Sequence, residues 1–84
     1  MSGPYKVFMG PVVHDPIFGE ETVRTARRLK VRRGEDGVSV FIMQGTQRCY
    51  TDGWQWVDHP RIACHVTMSL DDFREFMAKV LEDA

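Results

Sequence analysis

The densest apolar run in the chain is Val38-Ser39-Val40-Phe41-Ile42-Met43, rich in the β-branched and aromatic side chains that suit a pleated surface. Val38, Val40 and Ile42 project to one side of such a strand, and Ser39, Phe41 and Met43 to the other. Both sides are therefore largely apolar, which predicts a strand in the interior of a sheet. Before it lies Leu29 to Arg33, and between the two stands Gly34-Glu35-Asp36-Gly37, a turn signal that predicts a hairpin over Leu29 to Met43.

The preceding stretch, Glu20 to Arg28, is compatible with two periods. As a helix it carries acids at its start and arginines toward its end, but its apolar stripe of Val23, Ala26 and Leu29 is thin. As a strand it gathers Arg24, Arg28, Lys30 and Arg32 on one side, opposite Val23, Thr25, Leu29 and Val31 with Arg27 among them. The strand reading is preferred from Leu29 and extends to Thr22. Tyr5 to Met9 is a candidate first strand, and Gly10 to Gly19, broken by two prolines and two glycines, is expected to be a loop.

Beyond Met43, Gln44 to Thr46 reads as a bend. Gln47 to Thr51 and Trp54 to Val57 flank Asp52-Gly53, a strong hairpin signal, and Trp54 and Trp56 share a face. Asp58-His59-Pro60 marks a further turn. Arg61 to Met68 alternates, with Ile62, Cys64, Val66 and Met68 on the side expected to be buried. Ser69 is placed as an N-cap, Asp72 follows at the capping-box position, and Met68 with Phe73 is placed as a hydrophobic staple. Leu70, Phe73, Phe76, Met77, Val80 and Leu81 then recur at helical spacing, predicting an amphipathic helix over 70–82. The expected fold is α+β: one domain over 1–84, an antiparallel sheet of four to five strands, and the C-terminal helix packed on one face. Residues 1–4 are expected to be a free end.

Charge changes this picture more than size does. Residues 1–34 hold seven Lys or Arg against three acids, whereas residues 35–84 hold four against nine, so a net charge of −1 conceals two opposed halves. Six of the ten residues from Arg24 to Arg33 are basic, a run that serves either a solvated face or a polyanion contact. In 84 residues a single core is small, and a second subunit is one way to complete it. No apolar run approaches the roughly 20 residues of a membrane span. No hydrophobic leader follows a basic start, so Cys49 and Cys64 are expected to be reduced in a cytoplasmic protein, or a nucleoid or nuclear one if it binds nucleic acid.

Candidate chemistry is sparse. His14, Cys49, His59, Cys64 and His65 lack the spacing of a zinc site, so no metal is expected, with Cys64 read as a core residue and Cys49 as half-buried. His14-Asp15 has no partner nucleophile and reads as a polar loop pair. Cys49 with a histidine is the nearest approach to a catalytic pair, and no phosphate-binding glycine loop occurs. The chain is thus expected to be non-catalytic and to use no cofactor. The remaining constellation is Arg24, Arg28, Lys30 and Arg32 beside Trp54 and Trp56, with Tyr50 nearby, a mixture of cations and flat rings of the kind that single-strand nucleic-acid binders use, unless both tryptophans belong to the core, where so large an apolar ring is more often found.

From Leu29-Lys30-Val31-Arg32-Arg33 through Val40-Phe41-Ile42 to Thr67-Met68-Ser69-Leu70-Asp71-Asp72-Phe73, the order of elements resembles the positive cofactor four family of single-stranded DNA-binding transcription coactivators. The resemblance implies a curved antiparallel sheet, dimerisation involving the helix, and a basic sheet surface for unpaired strands in which Lys30, Arg32 and Trp54 take part. The Gly10 to Gly19 loop, the acidic second half and the Asp52-Gly53 hairpin depart from that pattern.

Two functions follow as expectations. The first is a protein-interaction or assembly module, a class that includes accessory and viral inhibitor proteins, acting as a homodimer or on a protein partner away from any membrane. The alternative is a single-stranded nucleic-acid-binding module built on the basic strand and its aromatic neighbours.

Overall fold

A computed structural model describes residues 5–82, so the expected free end at residues 1–4 lies outside the described residues. Six strands precede one helix: β1 (Lys6–Met9), β2 (Val13–His14), β3 (Val23–Arg33), β4 (Val38–Tyr50), β5 (Gly53–Trp56), β6 (Arg61–Met68) and α1 (Leu70–Glu82). All pairings are antiparallel. β3 and β4 form the centre, β1 and β2 share the outer side of β3, and β5 and β6 share the outer side of β4. The expectation of four to five strands is corrected to six. One reason is that Val13 and His14, inside the expected loop, pair with Arg27 and Ala26.

The hairpin between β3 and β4 closes where the turn residues place it. The Gly34 N–H donates to the Gly37 carbonyl at 2.9 Å, and the pairing runs from Arg33 with Val38 to Val23 with Arg48. Glu20 to Arg28 is therefore strand from Val23 onward, because a long partner strand rewards the period-two pattern that the thin helical stripe could not. The expected bend at Gln44 to Thr46 is replaced by continuous strand from Val38 to Tyr50. These residues pair with Arg27, Ala26 and Thr25 on one side, and that ladder holds the backbone extended.

Gly37 is fixed by close approach, since a Cβ there would lie 2.6 Å from the Met68 carbonyl oxygen. Gly37→Ala is expected to lower unfolding free energy by about 1–3 kcal/mol, checked by the urea midpoint; an unchanged midpoint would show that the β6 end yields freely. Gly53 has φ 117°, a conformation that L side chains rarely adopt, so the Asp52-Gly53 signal marks a real constraint. The turn residues proper are Thr51 and Asp52, with Tyr50 paired to Gly53.

Directly opposed residues of antiparallel strands share a face, which sorts the sheet into two surfaces. One carries Arg24, Ala26, Arg28, Lys30 and Arg32 of β3 with Phe41, Met43, Gly45 and Gln47 of β4, and is called the basic face below. The other carries Leu29, Val31, Val38, Val40 and Ile42, joined by Phe8 and Val13 from one side and Cys64 and Val66 from the other. This is the apolar face.

The helix begins as its cap chemistry requires. The Asp72 N–H donates to Ser69 Oγ at 3.1 Å, and Asp71 and Asp72 lie at the positive end of the helix dipole. Its packing is less than expected. Leu70 and Phe73 line a groove with Phe8, Val31 and Val38, but no residue of α1 is buried, and Phe76 and Leu81 are 58 % and 69 % exposed. The expected buried side of β6 is likewise open at Ile62, Cys64 and Val66, and Cys49 on β4, expected half-buried, is exposed; both cysteines are free. A register shift opposite Ile42 and Met43 also breaks the expected alternation. Cys64 stays with Ile42, whereas Ile62 moves to the basic face opposite Met43. Among the described residues, the buried hydrophobic side chains are Ala26, Val38 and Phe41.

Candidate nucleic-acid interface

The six residues singled out by sequence, Arg24, Arg28, Lys30, Arg32, Trp54 and Trp56, all fall on the basic face. The four cations stand on β3, while Trp54 and Trp56 reach the same surface through their pairing with Cys49 and Gln47. Along a strand, residues of one face recur about every 7 Å. Lys30, Arg32 and Arg28 thus form a continuous row, and Ala26 separates them from Arg24.

Each cation is positioned differently. Arg24 donates from Nε to Gln47 Oε1 at 2.8 Å, and its guanidinium lies 4.3 Å from the Trp54 ring centre. Gln47 is buried, so this bond satisfies an amide that would otherwise be costly to enclose. Arg28 is held by two bonds to the Gly10 carbonyl, at 3.1 and 2.8 Å, which ties the entry of the Gly10 to Gly19 segment to the site. Arg32 lies 4.8 Å from the Tyr5 ring centre and 5.6 Å from that of Phe41, and Lys30 Nζ lies 5.7 Å from Phe41. None of the four is in an ion pair among the described residues. The pairs present there join Arg27 to Asp15 at 2.7 Å and Lys79 to Glu75 at 3.8 Å. Arg27, on the apolar face, is the arginine of β3 whose charge is cancelled.

Two aromatic platforms flank this row. At one end the rings of Phe41 and His65 stack, 4.5 Å between centres and 4° from parallel. His65 Nε2 is 3.1 Å from Thr67 Oγ1, which in turn shares a hydrogen bond of 3.2 Å with Ser39 Oγ. The platform is thus steadied by a polar chain across β6 and β4. At the other end stands Trp54, half-buried beneath Arg24.

Trp56 plays another part. Its ring carbons come within 3.1 and 3.2 Å of where a Gly45 Cβ would sit, and Gly45 pairs with Ala26, which is fully buried. Trp56 thus lies over the bare backbone of Gly45, so its ring is part of the packing of this face. Alternation sets Trp56 on one face with Trp54 and leaves open whether the two rings are packed or exposed; both are half-buried.

Tyr5, Phe41 and His65 were missed as site residues. For Phe41 a signal existed, because the Gly34 to Gly37 turn sets Lys30 opposite Phe41 once the hairpin is closed about it. Tyr5 and His65 depend on pairings across long separations in the chain. The described residues contain no cluster of three or more His, Cys, Asp or Glu side chains placed to hold a metal, and no helix long and apolar enough to cross a membrane. Comparison with protein-family models, curated proteins and solved structures finds no match.

Proposed function

We propose that this chain is a non-catalytic binder of unpaired nucleic-acid strands, and that the basic face is where it binds. The observation that carries the reading is the row of Arg24, Arg28, Lys30 and Arg32, free of carboxylate partners and bordered by aromatic rings. Free cations neutralise phosphates, and flat rings stack on bases that a duplex would keep enclosed. The likeness of Leu29 to Phe73 to the positive cofactor four family points the same way.

This reading is preferred to the interaction module because Arg24, Arg28, Lys30 and Arg32 share one face with Phe41, Trp54 and Trp56. A protein contact keeps independent support from the exposed apolar face on the other side of the sheet.

The test is fluorescence anisotropy of a labelled oligonucleotide across a salt series. Four phosphate contacts on a single strand give a slope of log K against log salt near −0.7 per contact, so affinity should fall about fiftyfold between 50 and 200 mM salt. A duplex of the same sequence should compete poorly. Binding that ignores salt, or that prefers duplex, rejects the reading.

A further inference from the structure

At the turn between β3 and β4 the basic face ends in a cavity of about 200 Å³, bordered by Tyr5, Arg32, Asp36, Ser39 and Thr67 among others. Drug-sized ligands occupy clefts of roughly 300–1,000 Å³, so this one suits a single flat ring system. One wall is already flat. A Cβ on Gly34 would lie 3.0 Å from Tyr5 Cε1, so the ring rests on bare backbone, and the Arg32 guanidinium lies 4.8 Å from the centre of that ring. A planar guanidinium held against an aromatic ring is a surface on which an unpaired base stacks.

Two kinds of polar group border the same space. Ser39 Oγ and Thr67 Oγ1 share their hydrogen bond of 3.2 Å, and Thr67 Oγ1 is 3.1 Å from His65 Nε2. With the His65 ring nitrogen donating to Thr67 and Thr67 donating to Ser39, the Ser39 hydroxyl hydrogen is left for a ligand. The turn supplies the carboxylate of Asp36, which is in no ion pair among the described residues. Glu35, the other acid of the turn, also borders a second groove beside Lys6 and Arg33.

We infer that this cavity takes an unpaired guanine, and that Asp36 is the residue that selects it. A carboxylate presents two acceptors side by side. Guanine answers with two adjacent donors on its Watson–Crick edge, N1–H and the N2 amino group, and beside them the O6 carbonyl accepts from Ser39. Adenine and cytosine set one amino donor beside a bare ring nitrogen, and thymine sets one N–H between two carbonyls. Each of these turns a lone pair toward the second carboxylate oxygen, an unpaired contact that costs affinity. The inference rests on the basic face being the nucleic-acid surface, and adds a base preference at one end of its row of cations.

Competition against a labelled all-thymidine strand, with the full chain at fixed salt, tests this. A competitor carrying one guanine among thymidines should bind at least about fivefold tighter than the all-thymidine competitor, the low end of what a bidentate base contact discriminates. Inosine in place of that guanine lacks the N2 amino group and should lose most of the gain. Asp36→Asn suits a turn and replaces one acceptor by a donor. It should abolish the preference and leave all-thymidine affinity at or above that of the wild type, whereas Glu35→Gln, which removes a charge from the same turn, should keep the preference. Equal competition by the three strands, or a preference that survives Asp36→Asn, overturns the guanine site while thymidine binding still upholds the basic face. Failure to bind any strand rejects both.

Discussion

Replacing Lys30 and Arg32 together by glutamate is expected to weaken binding of a labelled single strand at least about twentyfold at 0.1 M salt. Two phosphate contacts at about 0.7 powers of salt each account for a loss of that size, and the added negative charge deepens it. The salt slope should fall by about half in the same experiment. These two positions are preferred to Arg24 and Arg28 because Lys30 and Arg32 make no side-chain hydrogen bond among the described residues. Arg24, by contrast, satisfies buried Gln47, and Arg28 holds the Gly10 carbonyl. The double substitution therefore separates loss of charge from loss of architecture. Wild-type affinity in a folded variant would remove the basic face from consideration.

The second large effect concerns Phe41, one of the few buried apolar side chains and the ring on which the platform of His65 rests. Phe41→Ala is expected to lower unfolding free energy by about 3–5 kcal/mol, a large part of what a small domain possesses. The cavity would open at the centre of the sheet, between Lys30 on β3 and His65 on β6, where the ladders on both sides hold the backbone and little collapse can follow. Equilibrium urea unfolding at one fixed protein concentration measures it, the fixed concentration being needed because association shifts apparent stability. A midpoint near that of the wild type would mean that Phe41 is replaceable and that the basic face is not built around it.

Phe41 also shows why part of the candidate site was legible in the sequence and part was not. Arg24, Arg28, Lys30 and Arg32 share a face because alternation has a period of two, a rule that needs only the knowledge that the segment is a strand. Phe41 follows by one further step, through the turn at Gly34 to Gly37. His65 needs the pairing of β6 with β4, whose register contains a shift at Ile42 and Met43 that no local pattern announces. Trp54 and Trp56 look alike in sequence at adjacent same-face positions. Only the close approach of the Trp56 ring to Gly45 makes it a packed ring, whereas Trp54 carries Arg24.

By itself the sequence determined the elements whose causes are local: the capped helix from Leu70 to Glu82, the hairpin about Gly34 to Gly37, and the gathering of four cations on one side of a strand. Cap, turn and alternation each act within a few residues, so they can be read from neighbours. Tertiary structure alone decided that Val13 and His14 add a strand, that β4 continues through the expected bend, and that Cys64 and Val66 stay open to solvent. Those outcomes depend on which distant segment lies alongside or above a residue. A helix that buries none of its own residues leaves Leu29 and Val66 on the apolar side of this sheet exposed, whatever its amphipathic pattern predicts.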